Sequence, residues 1–143
     1  MANLPIHWIA TRALCHATEE EDRVRKAVEF VLPGADETRT IVEGQFGNPL
    51  VILSRRETNG SRIQRVWARF GEAGILSGMR ADLGQRLDSD GVLHLRLDKQ
   101  AAFEEVLGLS SGSDAIDLQV KLKAFPAKAV ALRRVADELV GAR

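Results

Sequence analysis

The sequence contains a single cysteine, Cys15, and no tyrosine. One thiol cannot close an intramolecular disulfide, and a reducing compartment is expected. Without tyrosine, the aromatic inventory is Trp8, Trp67 and five phenylalanines. Most of these fall at apolar-periodic positions, which argues against an exposed stacking platform of the RRM type. An excess of charge of either sign is also missing, because twenty acidic residues balance twenty basic ones. Net charge therefore gives no global case for a polyanionic partner, and any such case must come from local asymmetry. No apolar run approaches the roughly 18 residues of a membrane span. The N-terminal apolar residues are interrupted by His7, Thr11 and Arg12, with no basic region ahead of them. A soluble, cytoplasmic protein is expected.

What is present is ordinary globular composition, 45% hydrophobic and 28% charged over 143 residues, enough for one core and far from the signature of disorder. Residues 1–143 read as a single domain. The stretch from Ile41 to Leu53 reads as a hairpin central to that domain. Gly47 can take positive φ, and Asn48 before Pro49 is pushed towards an extended conformation, so the turn is placed at Phe46 to Pro49. Leu50 to Leu53 is an unbroken apolar run of the kind found in buried strands.

Ahead of the hairpin, Leu4 to Ala17 reads as a strand with imperfect alternation. Thr18-Glu19-Glu20-Glu21 has the form of a capping box, which predicts a helix from Glu19. Its stripe of Val24, Ala27, Val28, Val31 and Leu32 stops at Pro33-Gly34. Behind the hairpin, Asn59 or Ser61 caps a second helix with Ile63, Val66, Trp67 and Phe70 inward and Arg62, Arg65 and Arg69 outward. Gly71, Gly74 and Gly78 predict a broken helical stretch from Ile75 to Leu87. Strands follow at Val92 to Asp98 and Ile116 to Leu122, separated by a short helix from Lys99 to Val106 and a loop, Ser110-Ser111-Gly112-Ser113. A last helix, Ala127 to Val140, buries Leu132, Val135, Ala136 and Leu139. This order predicts an α+β two-layer sandwich, with a mostly antiparallel sheet of about five strands and helices mainly on one face. The other face is expected to be open and to carry His94, Arg96, Lys121 and Lys123.

The chemistry-bearing motifs do not assemble into a catalytic site. Gly108-Leu109-Ser110-Ser111-Gly112 matches a nucleophile-elbow pattern, but the strand-before, helix-after context is reversed and no histidine follows. Asp88-Ser89-Asp90-Gly91 opens like a calcium loop but lacks the later ligands, which leaves a turn. Cys15-His16 with His7 and His94 gives no metal-ligand spacing. Gly71-Glu72-Ala73-Gly74 matches a KH-type G-x-x-G, although Glu72 would face approaching phosphates. Neither enzyme activity, metal nor cofactor is expected. The informative feature is five arginines, Arg55, Arg56, Arg62, Arg65 and Arg69, against one glutamate between Ser54 and Arg69. Such a row could follow a phosphate backbone, and it could equally be a solvated helix face.

Three segments, His16-Ala17-Thr18-Glu19-Glu20 with Val24, Glu43-Gly44-Gln45-Phe46-Gly47-Asn48-Pro49-Leu50, and Leu95-Arg96-Leu97-Asp98-Lys99-Gln100-Ala101-Ala102, together carry a resemblance. They resemble an archaeal family of small predicted RNA-binding proteins, described as predicted exosome subunits, whose fold is similar to that of the large-subunit ribosomal protein that binds 5S ribosomal RNA. Phe46 departs from the histidine or tyrosine expected in that turn. The resemblance implies an archaeal source, an α+β fold, RNA as partner and association with exosome or ribosome-associated proteins, and it carries over no catalytic residue. Within the third segment, Asp98 suits a helix cap and the alanines suit close packing. Lys99 has no such structural reading and joins the five arginines as a candidate RNA contact. The alternative is a protein-interaction subunit or homodimeric scaffold with little RNA contact, marked by an apolar patch on the open sheet face.

Overall fold

The computed structural model describes residues 4–44, 47–110, 112 and 114–141. Phe46 of the expected turn and Ser111 and Ser113 of the serine-rich loop lie outside the described residues. The strands are β1 (Ile6–Cys15), β2 (Asp36–Glu43), β3 (Pro49–Glu57), β4 (Val92–Asp98) and β5 (Ala115–Leu122). They form one sheet in the order β2-β3-β1-β5-β4, with every neighbouring pair antiparallel. The helices are α1 (Glu21–Val31), α2 (Gly60–Glu72), α3 (Ile75–Gly78), α4 (Leu83–Arg86), α5 (Lys99–Phe103) and α6 (Ala129–Leu139). The expected α+β architecture is therefore present.

The centre of the sheet is β1 and not the hairpin. β1 bonds to β3 on one side and β5 on the other, while the hairpin strand β2 is an edge. Of the apolar run Leu50 to Leu53, only Leu53 is fully buried, and Ile41 on β2 is 59% exposed. Leu50 and Ile52 share a face with Arg12 and Leu14 through the paired register, and among the described residues that face carries no helix.

Two-residue alternation sorts every strand. Ile9, Ala13 and Cys15, then Leu53, then Leu93, Leu95 and Leu97, then Ile116, Leu118 and Val120, all point to one side and are buried. Val24, Ala27, Val28 and Val31 of α1, Ile63, Val66, Trp67 and Phe70 of α2, and Leu132, Ala136 and Leu139 of α6 close over them. The Trp67 indole N–H donates to the Leu139 carbonyl at 3.0 Å and ties α2 to α6. The imperfect alternation in β1 has a local cause, a register shift between Ile6 and Trp8 where β1 meets β5.

Two helices start on a side-chain cap. Asn59 accepts from the Arg62 N–H and starts α2, Asp98 accepts from the Ala101 N–H and starts α5, and Gly74 at φ +80° ends the α2 region. The expected capping box at Thr18 does not form. α1 begins at Glu21, and its N-cap residue Glu20 makes no side-chain cap. Glu19 instead accepts from the His16 backbone N–H at 3.1 Å and from Lys99. α6 begins at Ala129, two residues beyond the start expected at Ala127. Because Phe70 is fully buried between sheet and helix, Phe70→Ala is expected to lower unfolding free energy by about 3–5 kcal/mol. The exposed Arg65→Ala is expected to stay within about 0.5 kcal/mol, both read from urea titration by circular dichroism.

Candidate nucleic-acid interface

The six candidate cations do not form one surface. Arg55 follows Leu53 in phase, so its side chain enters the helix layer and is only 7% exposed. There its Nη2 lies 3.1 Å from Glu37, its Nη1 pairs with Glu29, and Nη1 also donates to the Leu32 carbonyl at 3.4 Å. Arg25 of α1 bonds the other Glu37 oxygen at 2.8 Å and Glu21 at 2.8 Å, and Arg39 of β2 grips both Glu21 oxygens at 2.9 Å. This network fastens α1 to the hairpin with acids and bases that satisfy one another. Burial raises the Glu37 carboxyl, but the bonds from Arg25 and Arg55 outweigh it and hold the group below its usual range. The bonds from Arg39 and then Arg25 hold Glu21 down at about 2.

Arg62 and Arg69 are partly committed to structure. Arg69 donates to the Phe30 carbonyl at 2.8 Å and stacks over the Phe30 ring, and Arg62 reaches the Gly34 carbonyl at 3.4 Å and Glu57 at 3.5 Å. Both therefore serve the C-terminal end of α1, where carbonyls lack helical partners and the dipole favours cations. Arg65 is exposed and makes no ion pair among the described residues.

Lys99 is buried. Its ammonium donates to the Leu14 carbonyl at 2.9 Å and pairs with Glu19 at 3.0 Å and Asp114 at 2.7 Å. The structural role that the sequence did not reveal is thus to join the end of β1, the α1 approach and the start of β5. Burial lowers its affinity for the proton, and the two carboxylates outweigh that and raise it. His16, Glu19 and Asp114 bring ligand-type atoms within 4.8 Å of one another, and Lys99 already supplies the positive charge between those two carboxylates.

Arg56 lies on the other side of the sheet, which no helix among the described residues covers. The pairing register places Asp36, Arg56, Ala10, Gln119 and His94 in one row across the five strands, and Thr38, Ser54, Arg12, Asp117 and Arg96 in the next. These rows line a concavity of about 770 Å³. His94 meets Asp88 at 2.7 Å, Arg96 meets Asp117 at 2.9 Å, and the Arg56 guanidinium rests 4.3 Å over the Trp8 ring. Arg12 and Arg56 are exposed, stand on adjacent strands and make no ion pair among the described residues. His94 and Arg96 sit on this open face as expected. Lys121 bends to the Asp90 carbonyl, and Lys123 lies beyond the end of β5. Sequence reasoning missed Arg12, although Arg12 is in phase with Ala10 and Leu14.

A family model described as RNA binding matches residues 8–122, from within β1 to the end of β5. The RNA-binding protein PAB1135 of Pyrococcus abyssi is 28% identical over 146 aligned residues, covering 94% of each chain. Among solved structures, Mth689, a DUF54 protein from Methanothermobacter thermautotrophicus, superposes with a TM-score of 0.84 at 34% identity, covering 94% of this chain and 98% of that one. Protein AF2318 from Archaeglobus fulgidus superposes with a TM-score of 0.85 at 30% identity, covering 94% and 99% respectively.

Two outcomes test the network. Glu21 is depressed from 4.5 to about 2, so its contribution to stability is present above pH 4.5 and is lost as pH falls through 2. Glu21→Gln is expected to flatten the acid limb of a Tm-against-pH curve across that window, by a small amount because the pair is partly solvated. Lys99→Met keeps the alkyl stem but strips the donor from the Leu14 carbonyl, and is expected to cost about 1–3 kcal/mol in urea unfolding. Because the Lys99 pKa is raised, the wild type alone is expected to lose that increment as pH rises above the usual lysine range.

Proposed function

The chain belongs to the RNA-binding family, and from that premise we propose that it contacts RNA directly, without catalysis, on the bare face of its sheet. The observation that carries this reading is the pair Arg12 and Arg56, exposed on adjacent strands in the concavity and in no ion pair among the described residues, with Asp117 and Asp36 opposite them in the register. A guanidinium fork matches a phosphate bidentately and also stacks on a base, so two forks outside any ion pair, beside Arg96 and His94, suit an RNA strand. The floor between them is built of small or uncharged side chains, Ala10, Ser54, Thr38 and Gln119, which lets a sugar-phosphate backbone approach closely. Recognition is mainly of backbone and shape. Trp8 is an aromatic of this face, and Arg56 already covers it. The cellular role is that of an accessory subunit in RNA processing or degradation, associated with the exosome, as the sequence resemblance implies.

The alternative RNA surface is the outer side of α2, where Arg65 stands outside any ion pair among the described residues, between Arg62 and Arg69. It lies in the helix layer, on the opposite side of the molecule from Arg56. Arg55 and Lys99, saturated by carboxylates and backbone carbonyls, have no part in either surface. The rival reading, a protein-docking subunit with little RNA contact, is favoured by the unpaired edge of β2.

Labelled single-stranded RNA titrated at several salt concentrations separates these readings. Wild-type affinity is expected to fall with log salt, and the triple substitution Arg12→Ala, Arg56→Ala, Arg96→Ala to reduce that slope by about 2. Arg62→Ala, Arg65→Ala, Arg69→Ala is expected to leave the slope nearly unchanged. The reverse result moves the site to α2. A folded wild type whose binding shows no salt dependence removes phosphate contact altogether.

A further inference from the structure

The two edges of the sheet are built differently. At β4 the outward backbone groups are engaged: Asp98 N–H donates to the Gly108 carbonyl at 2.9 Å, Ser110 N–H donates to the Arg96 carbonyl at 2.9 Å, and Leu87 and Leu109 bridge to Leu93 and Leu97. At β2 the described residues offer no such cover. Eight residues pair with β3 on one side and with nothing on the other. Seven of them are exposed, including Ile41 at 59% and Val42 at 36%. The strand has no proline, no lysine and no bulge, and the guards it does carry are its charged side chains Asp36, Glu37, Arg39 and Glu43.

We propose that two copies of this chain join edge to edge through β2, in an antiparallel pairing whose two-fold axis passes at Ile41. A continuous sheet across a two-fold requires opposed residues to share a face, so the axis must pass through a residue and not between two. The charges then select among the registers. An axis at Arg39 sets guanidinium against guanidinium, and one at Thr40 sets Glu37 against Glu43. An axis at Thr38 opposes Glu37 and Arg39 but leaves Ile41 and Val42 in water. With the axis at Ile41, that side chain covers its own copy, Thr40 lies against Val42, and Arg39 faces Glu43 on both sides. Glu21 engages Nε and Nη2 of Arg39, and a guanidinium has five donors, so a second carboxylate can be served. Paired this way, the bare faces of both copies lie on one side. Asp36 and Thr38, which line the concavity, belong to the joined strand, so each concavity reaches the joined edge.

A single pair of strands buries little area, so the dimer is reversible and depends on concentration. Sedimentation velocity over a concentration series is expected to carry the wild type from the 15.7 kDa of one chain to twice that mass. Ile41→Lys, which puts like charges on the axis, and Glu43→Arg, which sets arginine against Arg39, are each expected to remain at one chain's mass with unchanged circular dichroism. Arg39→Glu is expected to do the same, and an equal mixture of Arg39→Glu and Glu43→Arg to regain the double mass, since each restores the other's complement. A wild type that stays at one chain's mass throughout, or a dimer indifferent to Ile41→Lys and Glu43→Arg, overturns the proposal. A mixture that stays at one chain's mass overturns the pairing at Ile41.

Discussion

A guanidinium buried under a helix must have its charge and its donors met there, because water cannot solvate it, and Arg55 imposes that requirement on the whole helix-side layer. Meeting it takes Glu37 from β2, Glu29 from α1 and the Leu32 carbonyl at the end of α1. Glu37 in turn holds Arg25, Arg25 holds Glu21, and Glu21 holds Arg39. One buried charge thus fixes the position of α1 over β3 and β1, and pins the edge strand to that helix. It also settles which cations are left for other work, since an arginine with every donor engaged has little to offer a phosphate.

Much of the fold was legible because local signals and tertiary packing agreed. The alternation in Val92 to Asp98 and Ile116 to Leu122 survives as β4 and β5, the Asn59 and Asp98 caps start their helices, and the α2 stripe is buried residue for residue. The failures came where a distant partner outbid a local motif. Thr18 to Glu21 satisfies the capping-box spacing, yet Glu19 is drawn to Lys99, eighty positions away, and the helix starts later. The hairpin looked central because its second strand is apolar. Sheet order is a property of long-range pairing, and no feature within Ile41 to Leu53 states which neighbour β3 will take.

The site was half legible, and the missing half lay in phase. Counting by two from Leu53 sends Arg55 inward and Arg56 outward, so the sequence held the signal that divides those neighbours. The same count from Ala13 sends Arg12 outward. It was obscured because the irregularity between Ile6 and Trp8 breaks the alternation at the start of β1. Lys99 follows the cap residue Asp98 as a first-turn position, which on sequence alone suggests solvent. Its burial depends on Glu19 and Asp114 arriving from two other segments, and nothing near Lys99 in the chain announces them.

The distribution of charge bears on the zero net charge that counted against an RNA partner. A sum over the chain is the wrong quantity for binding, because opposite charges that neutralise each other within a few ångströms contribute little field at a distance. Glu19, Glu21, Glu29, Glu37 and Asp114 are each matched at contact distance by Arg25, Arg39, Arg55 or Lys99. Those charges cancel where they stand, within the helix layer and at the end of β1. On the bare face, Asp117 is likewise taken by Arg96, and Asp88 is hydrogen-bonded to His94. Arg12 and Arg56 remain outside any ion pair among the described residues, and Asp36, opposite Arg56, is the unmatched acid beside them. A neutral protein can in this way present a locally positive groove, because most of its acids are consumed in holding the fold together.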